Sequence, residues 1–477
     1  MDPKKSLPAW GAAAIVVVTL IAAWVFLPGL HKPDDSGVKV ADQFPNDQFP
    51  STYKPLPSKP TLIRNATVLT ATDKEIAHGD VLMQGGKIVA VGANLTAPAG
   101  AVVIDGTGKF VTPGIIDIHS HLGVYPSPGN EATSDGNEAT RPTTPDVRSE
   151  NSVWPQDPGF SRALAGGVTS MQILPGSANL IGGRSVVLKN VPAITSQAMK
   201  FPGAPYDLKM ACGENPKRVY GDKGGPSTQM GNVAGYREAF EKAREYREKW
   251  RHYWKDKKGD PPDRDIGMET LALVLDQQIP VQMHCYRSDQ MATMIDISHE
   301  FGFRIAAFHH AVEAYKVADL LKKNHICAVM WADWWGFKME AYDGIPENIA
   351  MVDHAGACAT IHSDDPIGIQ RLNQEVAKAM LSGRRMGYDI PRAHAVAWMT
   401  RNPAMALGID KQTGTLEPGK MADVVLWDGD PFSVYTHAEK VFIDGAMLFD
   451  RDNPKLSPRS DFELGQEDNA NTGGAGQ

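Results

Sequence analysis

Two histidines one residue apart, His119 and His121, end an apolar run that opens with Thr112-Pro113-Gly114. Alternate side chains of an extended strand point to the same side, so this pair can grip one ion. Four further apolar runs end in groups able to hold a metal: Glu214, His284, the doublet His309-His310, and the stretch His362-Ser363-Asp364-Asp365. Strand alternation lets one of His309 and His310 point inward, and His310 is preferred as one step nearer the strand end. Each group also has a plainer use. Glu214 could pair with Lys217 or Arg218, and Asp364 could cap a following helix. Five metal-capable strand ends together outweigh those separate readings. Imidazole and carboxylate ligands suit a divalent ion, zinc foremost, and such a site activates water for hydrolysis.

The elements that must position these groups lie between residues 112 and 408. Apolar strand-like runs alternate there with helical patterns: GIIDIHSH, VTSMQILPG, SVVLKN, DLKMACGEN, IPVQMHCY, RIAAFHHA, ICAVMWAD and GACATIHSDD. This alternation predicts an α/β fold, a (β/α)8 barrel of TIM type, whose strand C-terminal ends carry the active site. Residues 60–111 and 409–450 read instead as short strands separated by turns, such as the hairpin signal Gln84-Gly85-Gly86-Lys87. So few short strands need each other, which predicts one small β-sandwich formed from both flanks. The stretch after Glu214, CGENPKRVYGDKGGPSTQMG, is expected to shape the pocket mouth.

The run TPGIIDIHSHLG at residues 112–123 resembles the opening signature of the amidohydrolase superfamily, and TGTLEPGKMADVVLWDGDP resembles its return to the small β domain. HCYRSDQM, GENPKR and HSDDP are similar to the imidazolonepropionase-like group. The resemblance implies one or two divalent ions held by His119, His121, a bridging carboxylate, His284, His310 and Asp364. Many relatives bridge their metals with a carboxylated lysine on the fourth strand. By alternation Lys209 falls on the other face from Glu214, so Glu214 takes the bridge, with Lys189 as the alternative. The implied reaction is hydrolysis of a carbon–nitrogen bond in an amide, cyclic amide or dipeptide-like substrate. Asp364 would orient the water and carry its proton to the leaving nitrogen. Arg184 and Arg287 are candidates to grip a substrate carboxylate. A deaminase of the same fold with a single metal is the alternative, and it would not need Glu214.

The 477 residues carry a net charge of -8, which gives no electrostatic footprint for nucleic acid. The partners expected are a small-molecule substrate, a membrane and possible further copies of the chain. Lys4 and Lys5 precede an uncharged apolar run within residues 1–32, long enough to cross a bilayer. It reads as an uncleaved anchor that leaves the catalytic domain periplasmic or extracellular. Residues 33–59 are rich in Pro and Asp and read as an extended spacer, and residues 451–477 as a polar disordered tail. Cys212, Cys285, Cys327 and Cys358 lie far apart and read as buried free thiols.

Overall fold

A computed structural model of the protein describes residue 44 and residues 47–456. The anchor expected over residues 1–32 lies outside the described residues. Among those described, no helix is long and apolar enough to cross a membrane.

All eight apolar runs are strands. They are β1 (Ile115–Ser120), β2 (Val168–Ile173), β4 (Val186–Lys189), β5 (Leu208–Ala211), β6 (Val281–Cys285), β7 (Ile305–His310), β8 (Cys327–Met330) and β9 (Ala359–Ile361), and a further strand, β3 (Ile181–Arg184), lies just before β4. Their residues are buried throughout, as expected of strands covered on both faces. They form two hydrogen-bonded sheets, one ordered β1-β2-β4 and the other β3-β5-β6-β7-β8-β9. Ser363 and Asp364, just after β9, meet β1 again: the Asp364 amide donates to the His119 carbonyl at 3.0 Å.

Two consecutive strands, β3 and β4, depart from an all-parallel barrel. β2 turns back through a loop, so β4 pairs antiparallel with β2 and β3 antiparallel with β5. The reason is local: too few residues separate β2 from β3 to form a crossover helix, which parallel pairing requires.

The two flanking β segments join through hydrogen bonds in one eight-stranded sheet. Phe110–Pro113 from the front flank pairs antiparallel with Val424–Trp427 from the back, register Thr112 to Val425. A core that includes Ile63, Val68, Val81, Leu416 and Phe442 sits on this sheet.

The cysteines correct the free-thiol expectation. Cys212 and Cys285 form a disulfide with Cα atoms 5.2 Å apart, and Cys327 and Cys358 form a second, at 4.5 Å. Distance in sequence concealed proximity across neighbouring strands: β5 lies beside β6, and β8 beside β9.

The described part of the expected spacer is held against the barrel. The Ser51 hydroxyl donates to the Lys200 carbonyl at 2.6 Å, and the Thr52 amide donates to the Gln197 carbonyl at 3.0 Å. Lys200 Nζ reaches Asp47, Glu150 and the Phe49 carbonyl. Phe44 packs against Trp250 and Trp254 of the long helix Gln229–Asp256, with ring centroids 5.0 and 5.3 Å apart.

Candidate metal centre

β1 delivers His119 at its end, and His121 follows one step beyond. Their Nε2 atoms lie 3.3 Å apart, and Asp364 Oδ1 is 3.3 Å from the first and 3.2 Å from the second. Ligand bonds of about 2.0–2.1 Å in a tetrahedral shell place neighbouring donor atoms roughly 3.3 Å apart, so this triangle has the size of one face of such a shell. A second triad shares His119 and adds His310 and His362, with donor atoms within 4.8 Å of one another. His310 Nδ1 and both ring nitrogens of His362 are buried without a hydrogen-bond partner. Nitrogens stripped of water and left unpaired are costly unless something else binds them. The donor set therefore fits a divalent ion.

Outer hydrogen bonds fix which lone pairs face the centre. His121 Nδ1 donates to the Leu174 carbonyl at 2.9 Å, leaving Nε2 free toward Asp364. His119 is set by a longer relay. Gln282 Oε1 accepts from His309 Nε2 at 2.7 Å, and His309 Nδ1 then accepts from His119 Nδ1 at 2.8 Å. The proton on Nδ1 leaves His119 Nε2 as a lone pair aimed at Asp364. His309 is therefore an orienting partner, and both members of the doublet reach inside. Strand alternation breaks because His310 takes a left-handed φ of 68°.

Asp364 is turned inward by its own left-handed φ of 56°. Asp117, buried one turn of the pleat below His119, accepts from the His119 and Ser363 amides, each at 3.2 Å, and from the Ser363 hydroxyl at 2.5 Å. It ties the Asp364 loop to β1. Burial pushes the Asp117 carboxyl up to about 7. Burial also pushes His119, His284, His309 and His310 well below the ordinary imidazole value, and His362 down to about 3. Their ring nitrogens are therefore neutral near pH 7. Burial pulls the other way on Asp364, but contact with His121 and then His310 outweighs it and holds the carboxyl below the usual range.

The structure places the remaining sequence candidates as follows. His284 is buried, its ring 4.5 Å from that of His310, with Nδ1 unpartnered. Glu214 lies outside the cluster. β5 stops at Ala211, and the chain turns at Gly213, where φ is 82° and a Cβ would stand 2.4 Å from a Glu340 oxygen. Glu214 then begins a short helix, its amide donating to Glu340 at 2.7 Å and its carboxylate 3.5 Å from Lys338. Lys189 is at the opposite end of the barrel because β4 runs antiparallel. Its Nζ is buried 2.6 Å from Asp444 and 3.2 Å from Asp423. Arg184 is buried against Thr270, its Nε 3.0 Å from that hydroxyl. Arg287 is exposed on the rim and paired with Asp289 at 2.9 Å.

Asp117 was missed from the sequence, His362 was named only within its metal-capable run and given no ligand role, and Lys209 was assigned to the other face. Lys209 is paired in register with Gln282, and Ala211 with His284, so Lys209 shares the inner face with those two. Its Nζ is buried with no partner, and burial pushes the amine down to about 7 against the pull of Asp364. Counting alternation back from Glu214 gave the wrong face, since the turn at Gly213 interrupts the strand. Counting from the strand's own apolar outer residues, Leu208 and Met210, would have found it.

The sequence profile of the amidohydrolase family matches residues 110–457. The chain is 36% identical over 432 residues to amidohydrolase TasK of Hapsidospora irregularis, covering 82% of this chain and 43% of that protein. It therefore spans less than half the length of that relative. It is also 22% identical over 410 residues to the imidazolonepropionase of Mesorhizobium japonicum, covering 76% of this chain and 91% of that one. Among solved structures, an amidohydrolase from Thermotoga maritima shares 39% identity with a TM-score of 0.76. That match covers 82% of this chain and all of the other.

Proposed function

The chain belongs to the amidohydrolase family of hydrolases acting on carbon–nitrogen bonds, and from that membership we propose that it cleaves an amide-type bond at the centre built on His119, His121, His310, His362 and Asp364. The observation that carries the reading is the triangle of two imidazole nitrogens and one carboxylate oxygen, with edges of 3.2 and 3.3 Å. A divalent ion held there, zinc foremost, would supply Lewis acidity and bring water's pKa down toward about 7.

The chain's own groups do the rest. Asp364, kept ionised by its imidazole neighbours, takes the proton of the attacking water and hands it to the leaving nitrogen. Hydroxide adds to the carbonyl carbon, the C–N bond breaks, and the nitrogen departs protonated. Lys209 takes the bridging part earlier given to Glu214. Its Nζ, pushed by burial down to about 7, could add to carbon dioxide with loss of a proton, and the resulting carbamate and His284 are the groups that would hold a second divalent ion. The buried, unpartnered Nζ supports this assignment. We also place the catalytic domain outside a membrane, held through residues 1–32. Two disulfides support an oxidising compartment.

Elemental analysis of the purified full chain, with Lys209→Ala and Glu214→Ala alongside, tests the assignment. Two metals per chain are expected, falling in Lys209→Ala and unchanged in Glu214→Ala, together with amine release from amide substrates. A metal content that falls only in Glu214→Ala would overturn the Lys209 assignment. One metal per chain with ammonia release from an amino-substituted heterocycle would replace amide hydrolysis by deamination.

A further inference from the structure

Against one side of the metal centre lies an aromatic cavity of about 280 Å³ whose inner wall is His310. The Trp331 ring stacks on His310, centroids 4.4 Å apart and planes at 26°. Trp334 stacks on Trp331 in turn, at 4.8 Å and 9°. Val312, Ile345 and Pro346 complete an apolar lining. Trp331 is buried, whereas Trp334 is 40% and Trp335 61% exposed, so the stack leads from the centre to solvent.

Apart from His310, which belongs to the metal centre, the polar groups in the wall already have partners. Asn348 donates to the Ala311 and Val312 carbonyls and accepts from the Tyr315 amide. Asp333 is paired with Lys378 at 2.8 Å. The Trp331 indole donates to the Ser363 carbonyl, and the Trp335 indole to the Tyr342 carbonyl. A polar occupant would lose water there and find few partners, whereas a flat apolar ring meets indole faces. A cavity of roughly 150 Å³ already holds benzene. The space here suffices for a benzyl or indolyl group.

We propose that this cavity is the specificity subsite, and that the substrate carries an aromatic substituent beside the carbon–nitrogen bond to be cleaved. The inference rests on the amide-hydrolase reading for the bond, but the subsite itself is tested by binding. N-acetylphenylalanine amide and N-acetylalanine amide differ only in the ring. They are to be titrated by tryptophan fluorescence into the metal-loaded full chain, and their hydrolysis followed in parallel. Burying the ring should make the phenylalanine compound bind roughly ten- to a hundredfold more tightly. Trp334→Ala, which removes a wall, and Ile345→Trp, which fills the space, should each reduce that ratio to within about threefold. Metal content and circular dichroism identify variants that have kept their fold and centre. Equal binding of the two compounds to the wild type, or a ratio untouched in both folded variants, would overturn the subsite. Tight, ring-dependent binding without hydrolysis would leave the subsite standing and count against amide cleavage. Hydrolysis of both compounds without ring-dependent binding would do the reverse.

Discussion

At the scale of single residues, the centre depends on protons being in the right place before substrate arrives. Asp364 supplies the carboxylate of the triangle, and contact with His121 and His310 outweighs burial and holds its carboxyl below the usual range, so it is ionised near pH 7 and able to take a proton. Asp364→Asn keeps the size and removes the base. Its kcat is expected to fall by about 10²–10⁴-fold, with unfolding midpoints near wild type; a variant within a few-fold of wild type would remove Asp364 from proton transfer. Gln282 tests the relay behind His119. Gln282→Leu takes away the acceptor for His309 Nε2, so the His309 and His119 tautomers are no longer set. Loss of such an outer partner typically weakens metal binding by about 10–100-fold. A metal titration against a competing chelator reads that loss directly, and an unchanged affinity would show that His119 is oriented by packing alone.

At the scale of elements, neighbouring strands are pinned in pairs by the two disulfides, and Cys212–Cys285 does so one residue from His284. Closing a chain loop between β8 and β9 restricts the unfolded state more than the folded one. Replacing Cys327 and Cys358 together by Ser should therefore cost about 2–4 kcal/mol in denaturant titration. A loss below about 0.5 kcal/mol would mean that the strand ladder alone holds that edge. The strands themselves were legible because each is a short apolar run, and five of the eight end in a metal-capable residue. Handedness was not: nothing in SVVLKN says that it runs antiparallel, and only the short β2–β3 connection hints at it. Faces were legible wherever a strand stayed regular, as at His119 and His121. They were lost where a left-handed residue interrupts the alternation, at Gly213 and His310. Both interruptions fall at the C-terminal ends of strands, where side chains are being aimed at the centre rather than packed in a repeating core.

At the scale of the whole molecule, the β sheet and the barrel are coupled by a charged cluster around His394. Its Nδ1 lies 2.7 Å from Asp73, in the turn after the strand Thr61–Leu69, and its Nε2 lies 2.9 Å from Asp353 on the barrel helix Asn348–His354. Arg401 also reaches Asp73, and Arg392 joins Glu75 to Asp430. The hydrogen bond to Asp353 is the largest influence on His394; together with Asp73 it outweighs burial and raises the imidazole from 6.5 to about 9. A raised folded-state pKa means that the folded protein holds this proton more tightly than the unfolded chain. The contribution is fully present below pH 6.5 and is lost as pH rises through about 9. His394→Gln keeps hydrogen-bonding capacity and removes the charge, so subtracting the variant isolates this group from every other titration. Wild type should exceed the variant by about 1 kcal/mol or less at pH 6, since the site is partly open to solvent and screened. That gap should close between pH 7 and 10. A gap constant over this range would show that the sheet and barrel are held by packing alone. A gap that grew with pH would mean that the folded protein holds His394 neutral rather than charged.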